Sequence, residues 1–267
     1  MANKGSLLST MNDSTISSAS AIITGALTTA AAFGFGIDSN AAAFIAANSP
    51  IMNHLFYRSI HFLFGKEPSK LECARLGIAY SEAALTIKKN QEQKRPVRSD
   101  DFFDDSYNGN YSKANELVEA ALRYTTEDPE TIKSICYGRF IGNIPFCSQK
   151  HNDLIAINKT IRELTYSELC VINVLRYKGR CTFFALENAV RNSTSTDAMS
   201  FYSIILHLKT MGILVPTGQF FSASLIGYVF MSQSGTDIYD LMELDRLCPK
   251  DTQQYESLFN QYGKIES

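Results

Sequence analysis

Residues 1–65 carry only four charged side chains, Lys4, Asp13, Asp38 and Arg58. A stretch this poor in charge has to be taken out of water, either by its own protein or by lipid. Ser14 to Gly36, STISSASAIITGALTTAAAFGFG, has none at all. It is long enough for a membrane helix, which needs about 20 residues. Its Ala, Gly, Ser and Thr content nevertheless supplies little transfer energy beside Leu, Ile or Phe. Helical spacing puts Ser17, Ser20, Thr24 and Thr28 on one face and Ile16, Ile23, Leu27 and Ala30 on another. A hydroxyl stripe opposite an apolar one suits an oligomer around a wet axis, and the small residues Ala19, Gly25 and Ala26 permit close helix approach. A secretion signal is disfavoured by Asp13 and by the diluted apolar region.

A second helix is expected after Ser49-Pro50, over IMNHLFYRSIHFLF. There His54, Arg58 and His61 form a cationic ridge that suits a bilayer surface or a pore entrance. The head therefore reads either as a membrane-active hairpin or as a buried hairpin of a soluble protein.

Charge returns abruptly. Residues 66–138 hold 11 basic and 13 acidic side chains, 139–236 hold 9 and 5, and 237–267 hold 3 and 7. This divides the chain into an uncharged head (1–65), a helical middle (66–163), a mildly basic module (164–236) and an acidic C-terminal helix and tail (237–267). The net charge of -2 argues against a general nucleic-acid coat. The six cysteines contain no C-x-x-C pair and fall among apolar neighbours, so they are expected to be reduced core residues.

The expected class is mainly α. Ser69-Lys-Leu-Glu72 and Thr165-Tyr-Ser-Glu168 are capping boxes opening helices to about Lys89 and Tyr177. Asp128-Pro129 is expected to cap a helix that runs to about Pro145. Between them, 89–112 reads as a loop anchored by Phe102 and Phe103. Its Asp100, Asp101, Asp104 and Asp105 are weighed as a magnesium set against simply facing water, and no metal is expected.

From Leu164 the pattern resembles a winged-helix domain: helices TYSELCVINVLRYK, FFALENAVRN and DAMSFYSIILHLKTMG, then extended ILVP and QFFSAS joined by Thr217-Gly218, with LIGYVFMSQ as a closing helix. The third helix offers only His207 and Lys209 as cations, so base readout in a major groove is not expected. Arg176, Lys178, Arg180 and Arg191 suit a sequence-independent phosphate patch, set against an ordinary solvated surface.

Catalytic fingerprints are missing: there is no phosphate-cradling G-x-x-x-x-G-K-[ST], no G-x-S-x-G and no H-E-x-x-H. Cys147 with His151 is a minor candidate pair. The expectation is a protein that is not an enzyme and uses no cofactor.

The succession KLECARLGIAYSEAALTIKKN, RSDDFF, NELVEAALRYTTEDPETIKSICYGRFIGNI and LTYSELCVINVL resembles bacterial abortive-infection proteins of the Abi-alpha sort. It is also similar to the channel-forming subunit of Hailong anti-phage systems. The resemblance implies a homo-oligomeric effector that opens the inner membrane to ions and is held inactive by a nucleotide or single-stranded DNA oligomer made by a partner nucleotidyltransferase. On that reading residues 14–64 meet membrane lipid. Arg176, Lys178, Arg180, Arg191 and Lys209 bind the ligand, and the protein is in the inner membrane with cytoplasmic C-terminal domains or is cytoplasmic until activated. The alternative is a soluble winged-helix DNA-binding transcriptional regulator with the head as a buried dimerisation hairpin.

Overall fold

A computed structural model describes residues 13–32, 50–52, 55–56, 59–60, 68–104, 111–192, 195–216 and 228–265, with side chains on the first helix described from residue 21 to residue 31. The protein is mainly helical, with ten helices and a small antiparallel sheet among the described residues. It divides into two compact units, Met1–Arg162 and Glu163–Ser267.

The N-terminal unit is built from α1 (Asp13–Ala32), α2 (Lys70–Glu92), α3 (Lys113–Glu127), α4 (Lys133–Asn143) and α5 (His151–Glu163). The helix α2 is central, with α1, α3 and α4 all packed on it. Both capping hydrogen bonds of the Ser69–Glu72 box are made, so its start lies where the sequence puts it. A comparable box at Ser112 and Asn115 opens α3.

Close approach explains why α2 can bury so much of its surface. Gly138 and Gly142, one turn apart on α4, face α2: a Cβ at Gly138 would lie 2.5 Å from the Ala79 carbonyl oxygen, and one at Gly142 would lie 2.7 Å from Thr86 Cβ. On the seam with α1, a Cβ at Gly77 would lie 2.2 Å from the Ala26 carbonyl oxygen. The glycines thus set the helix separations by what they lack. Ile23, Ala26, Leu27 and Ala30 of α1 are buried, at the i, i+3, i+4, i+7 spacing of one helical face. Gly77→Leu is therefore expected to prise α1 off α2 and to cost about 1–3 kcal/mol. Thermal melting with limited proteolysis checks this, and an unchanged cleavage rate within 13–32 would refute the seating.

Polar links fix the rest. Arg75, buried, donates from Nη1 to the Thr126 carbonyl (2.8 Å) and from Nε to Thr131 Oγ1 (3.2 Å), tying α2 to the α3–α4 turn. Asn90 donates to Asn143 at 2.8 Å, and Arg139 pairs with Glu82 at 3.0 Å. The Asp128-Pro129 expectation is corrected here: α4 begins at Lys133, not at Pro129. Asp128 spends one oxygen on the Glu130 amide (2.9 Å) and the other on the Lys133 ammonium (2.5 Å), forming a turn held by a buried ion pair instead of a helix cap.

The C-terminal unit contains α6 (Tyr166–Leu175), β1 (Cys181–Thr182), α7 (Phe184–Asn192), α8 (Thr196–Thr210), β2 (Leu214–Pro216), β3 (Tyr228–Met231), α9 (Gln233–Leu241), α10 (Pro249–Tyr262) and β4 (Lys264–Ile265). The Thr165–Glu168 capping box opens α6, and Gly212 at φ +72° lets the chain leave α8. The sheet order is β2-β3-β1-β4, all antiparallel, with Cys181 opposite both Val229 and Ile265. Its core centres on Phe183, which makes edge contacts with Phe201 and Phe259 at 6.0 Å each.

The closing helix expected over LIGYVFMSQ is corrected: Tyr228–Met231 is a strand. Val229 points inward and is buried while Phe230 is exposed, the two-residue alternation of a half-buried strand. The following helix starts only at Gln233, with Ser232 accepting from the Gly235 amide. The expected Thr217-Gly218 turn and QFFSAS run lie outside the described residues.

Candidate nucleic-acid interface

Three of the five cations singled out in the sequence stand on one turn. After α6, Arg176, Lys178 and Arg180 follow one another at alternate positions, and Gly179 at φ +66° supplies the left-handed residue that reverses the chain into β1. Each cation lies on an aromatic ring. The Arg176 guanidinium is 5.2 Å from the Tyr177 ring centre and 5.4 Å from that of Tyr239, Lys178 Nζ is 5.1 Å from the Phe259 ring, and the Arg180 guanidinium is 4.5 Å from the Tyr228 ring. Such contacts contribute about 0.5–1 kcal/mol each at exposed sites and orient the cation without neutralising it.

Asp240 competes weakly for Arg176. Their closest approach is 3.9 Å, and burial raises the Asp240 carboxyl above its usual value even though Arg176 pulls it down. Asp237 and Asp245 also act on Asp240, so carboxylates border the Arg176 end, while Lys178 and Arg180 keep N–H donors for an anion. Beside the turn, Tyr177 is 80% exposed and meets Tyr239 edge-on at 5.9 Å. Burial, then Tyr177, pushes the Tyr239 phenol well above the usual tyrosine range, so it stays a neutral hydroxyl. Phe184 packs edge-on against Tyr228 at 5.4 Å and is itself partly exposed.

Arg191 and Lys209 stand on other elements, in the last turns of α7 and α8, where cations also suit the helix dipole. On α8, His207 Nδ1 lies 2.5 Å from Glu168 Oε1, so this ring is engaged with the capping box of α6.

Sequence reasoning missed the rings. Tyr177 was legible, since an aromatic among cations in RYKGR is a stacking signal. Tyr228, Tyr239 and Phe259 were not, because the fold alone brings them to this turn.

No protein-family model, curated protein or solved structure matches this chain.

In the head, Thr24 and Thr28 are exposed on α1, and Thr28 returns its hydroxyl proton to the Thr24 carbonyl at 2.9 Å. Ser17 and Ser20 lie on the same helix, with side chains outside the described ones, and His54, Arg58 and His61 lie outside the described residues. Among the described residues, no helix is long and apolar enough to cross a membrane.

The RSDDFF step is a latch in the N-terminal unit. Arg98 donates to both Asp100 oxygens (2.8 and 2.6 Å) and lies 4.0 Å from the Phe102 ring centre, while Lys113 takes Asp101 at 2.7 Å. The Arg98 guanidinium holds the Asp100 carboxyl below its usual value. These groups line a cavity of about 410 Å³, together with Lys150, and within it Arg98 pairs with Asp100 and Lys113 with Asp101. Two of the four aspartates are therefore committed to cations, and Asp105 lies outside the described residues. Cys147 donates to the Ile144 carbonyl (3.2 Å), and burial raises its thiol pKa, which disfavours the nucleophilic thiolate. His151 is bonded to Glu116 at 3.1 Å.

Proposed function

We propose that this protein binds single-stranded nucleic acid through the Arg176–Arg180 turn of its C-terminal unit. The observation that carries the reading is the row of three cations laid on rings beside the exposed Tyr177. Cations track a phosphate backbone, and a solvent-facing ring stacks an unpaired base of any identity. A duplex offers no splayed base, and α8 has little positive charge with which to enter a major groove. The unit is a winged-helix-like module in this account. In support, its order is helix, strand, helix, helix, strand, strand, with β3 between β1 and β2.

A second reading, membrane permeabilisation, belongs to a state in which α1 has left α2. It is favoured by the side chains described on α1 at this seam, where Ile23 and Leu27 are the large apolar ones beside Ala26 and Ala30. Burying each large one is worth about 1.5–3 kcal/mol, within reach of a ligand that distinguishes the two states.

Fluorescence anisotropy with a short single-stranded oligonucleotide and its duplex tests the main reading. The full chain is expected to prefer the single strand, and Tyr177→Ala to weaken that binding about 5- to 150-fold, the equivalent of about 1–3 kcal/mol of stacking. Absence of binding to either oligonucleotide at low salt would overturn it.

A further inference from the structure

The pleat of the small sheet sorts its side chains into two sets. Cys181 and Val229, paired across β1 and β3, are buried, and so is Leu214 of β2. Their neighbours along the strands point the other way, and the register brings these together: Thr182 lies opposite both Tyr228 and Lys264, and Val215 lies opposite Phe230. On this outer face Phe230 is 40% exposed and Lys264 is exposed. The Arg180 guanidinium, 4.5 Å from the Tyr228 ring centre, stands here as well, and Phe184 meets Tyr228 edge-on at 5.4 Å. No described strand residue carries a carboxylate.

The chemistry of this face limits what covers it. An exposed ring between two cations fits a ligand that is at once flat, aromatic and anionic. An apolar protein surface laid here would desolvate Arg180 and Lys264 without compensation. A single strand of nucleic acid supplies both halves, a base for the ring and phosphate for the cations. Spacing agrees. Tyr228 and Phe230 stand about 6.6 Å apart along β3, against about 3.4 Å between stacked bases of one strand, so the face suits a strand that is drawn out and unstacked. The face is also continuous with the Arg176–Arg180 turn, because Arg180 belongs to both: it is the last cation of the turn and lies on a ring of the sheet.

We infer that the outer face of this sheet is a second stacking position for the same single strand, with Phe230 taking a base and Arg180 holding a phosphate on the way from Tyr177. The inference rests on the reading of the Arg176–Arg180 turn. Its test uses the full chain and an oligothymidylate of about 12 nucleotides, within the range of single-strand site sizes. Phe230→Leu keeps the apolar bulk and loses the ring. It is expected to weaken binding at least about fivefold without changing the salt slope, and Phe230→Tyr to restore the affinity. The chain has no tryptophan, so Phe230→Trp adds a lone reporter whose fluorescence a stacked base is expected to quench as the oligonucleotide is added. If Phe230→Leu melts the unit, Phe230→Trp decides the matter by itself, quenching supporting the position and its absence overturning it. A parent chain that binds and that Tyr177→Ala weakens, with Phe230→Leu within about twofold of it and Phe230→Trp unquenched, overturns this inference and leaves the turn its role. Absence of binding by the parent chain overturns both. A dimer formed without oligonucleotide and lost in Phe230→Leu would assign the face to a second copy and also overturns the inference.

Discussion

Replacing Arg176, Lys178 and Arg180 together by glutamate is expected to lower affinity for a single-stranded oligonucleotide by more than about 100-fold at low salt, because the turn changes from attracting phosphate to repelling it. The salt dependence carries the sharper information. For single strands the slope of log affinity against log salt is about −0.7 per neutralised phosphate, so three such contacts give about −2, and the variant should approach zero. Tyr177→Ala should lower affinity while keeping the slope, since a stacked base releases no counterions. The ring contacts of the three cations contribute about 0.5–1 kcal/mol each, so the variant is expected to lose a little stability, and its melting temperature has to be followed alongside. A folded variant with unchanged affinity and slope would remove the turn from any role in binding. Arg191→Glu and Lys209→Glu, on other elements, should move both quantities less.

Local signals were the legible ones. The serine and threonine boxes at Ser69 and Thr165 use residues three apart, so the sequence alone locates the helix starts. Gly212 marked the end of α8 for the same reason. Two readings failed where a longer-range partner decides. Asp128 before Pro129 reads as a helix cap, but the Lys133 ammonium, five residues on, captures its carboxylate and shifts the helix start. Tyr228–Met231 reads as helix in a run of apolar residues, but pairing with Cys181–Thr182 and Leu214–Pro216 draws it into the sheet. In the candidate site the cations were visible and most of their rings were not, because Tyr228, Tyr239 and Phe259 lie 48, 63 and 81 residues beyond the cations they receive, counting from Arg180, Arg176 and Lys178 in turn. The head was ambiguous for a different reason. Small residues at helical spacing serve both lipid-embedded and soluble close packing, and Gly77 on α2 is what seats α1 in the state described here.

Lys133→Met is expected to cost the N-terminal unit about 3–5 kcal/mol, the usual penalty for leaving one partner of a buried ion pair behind. The side chains of Lys133 and Asp128 are only 2% and 4% exposed, and their oxygen–nitrogen distance is 2.5 Å. Without the ammonium, the Asp128 carboxylate would keep its bond from the Glu130 amide and lack a countercharge in a site that water barely reaches. At about 2–4 °C per kcal/mol for a unit of this size, the melting temperature should fall by roughly 6–20 °C. Removing both charges should be far milder. In the double variant Lys133→Met with Asp128→Leu, no charge is buried, and the remaining loss is the turn bond to Glu130, about 1 kcal/mol. In chemical denaturation the double variant should then be about 2–4 kcal/mol more stable than Lys133→Met alone. The outcome that contradicts this is a Lys133→Met chain within about 1 kcal/mol of the parent. It would mean that the turn between α3 and α4 opens far enough to hydrate Asp128, and that α4 is held against α2 by Gly138 and Gly142 without help from the charges at its start.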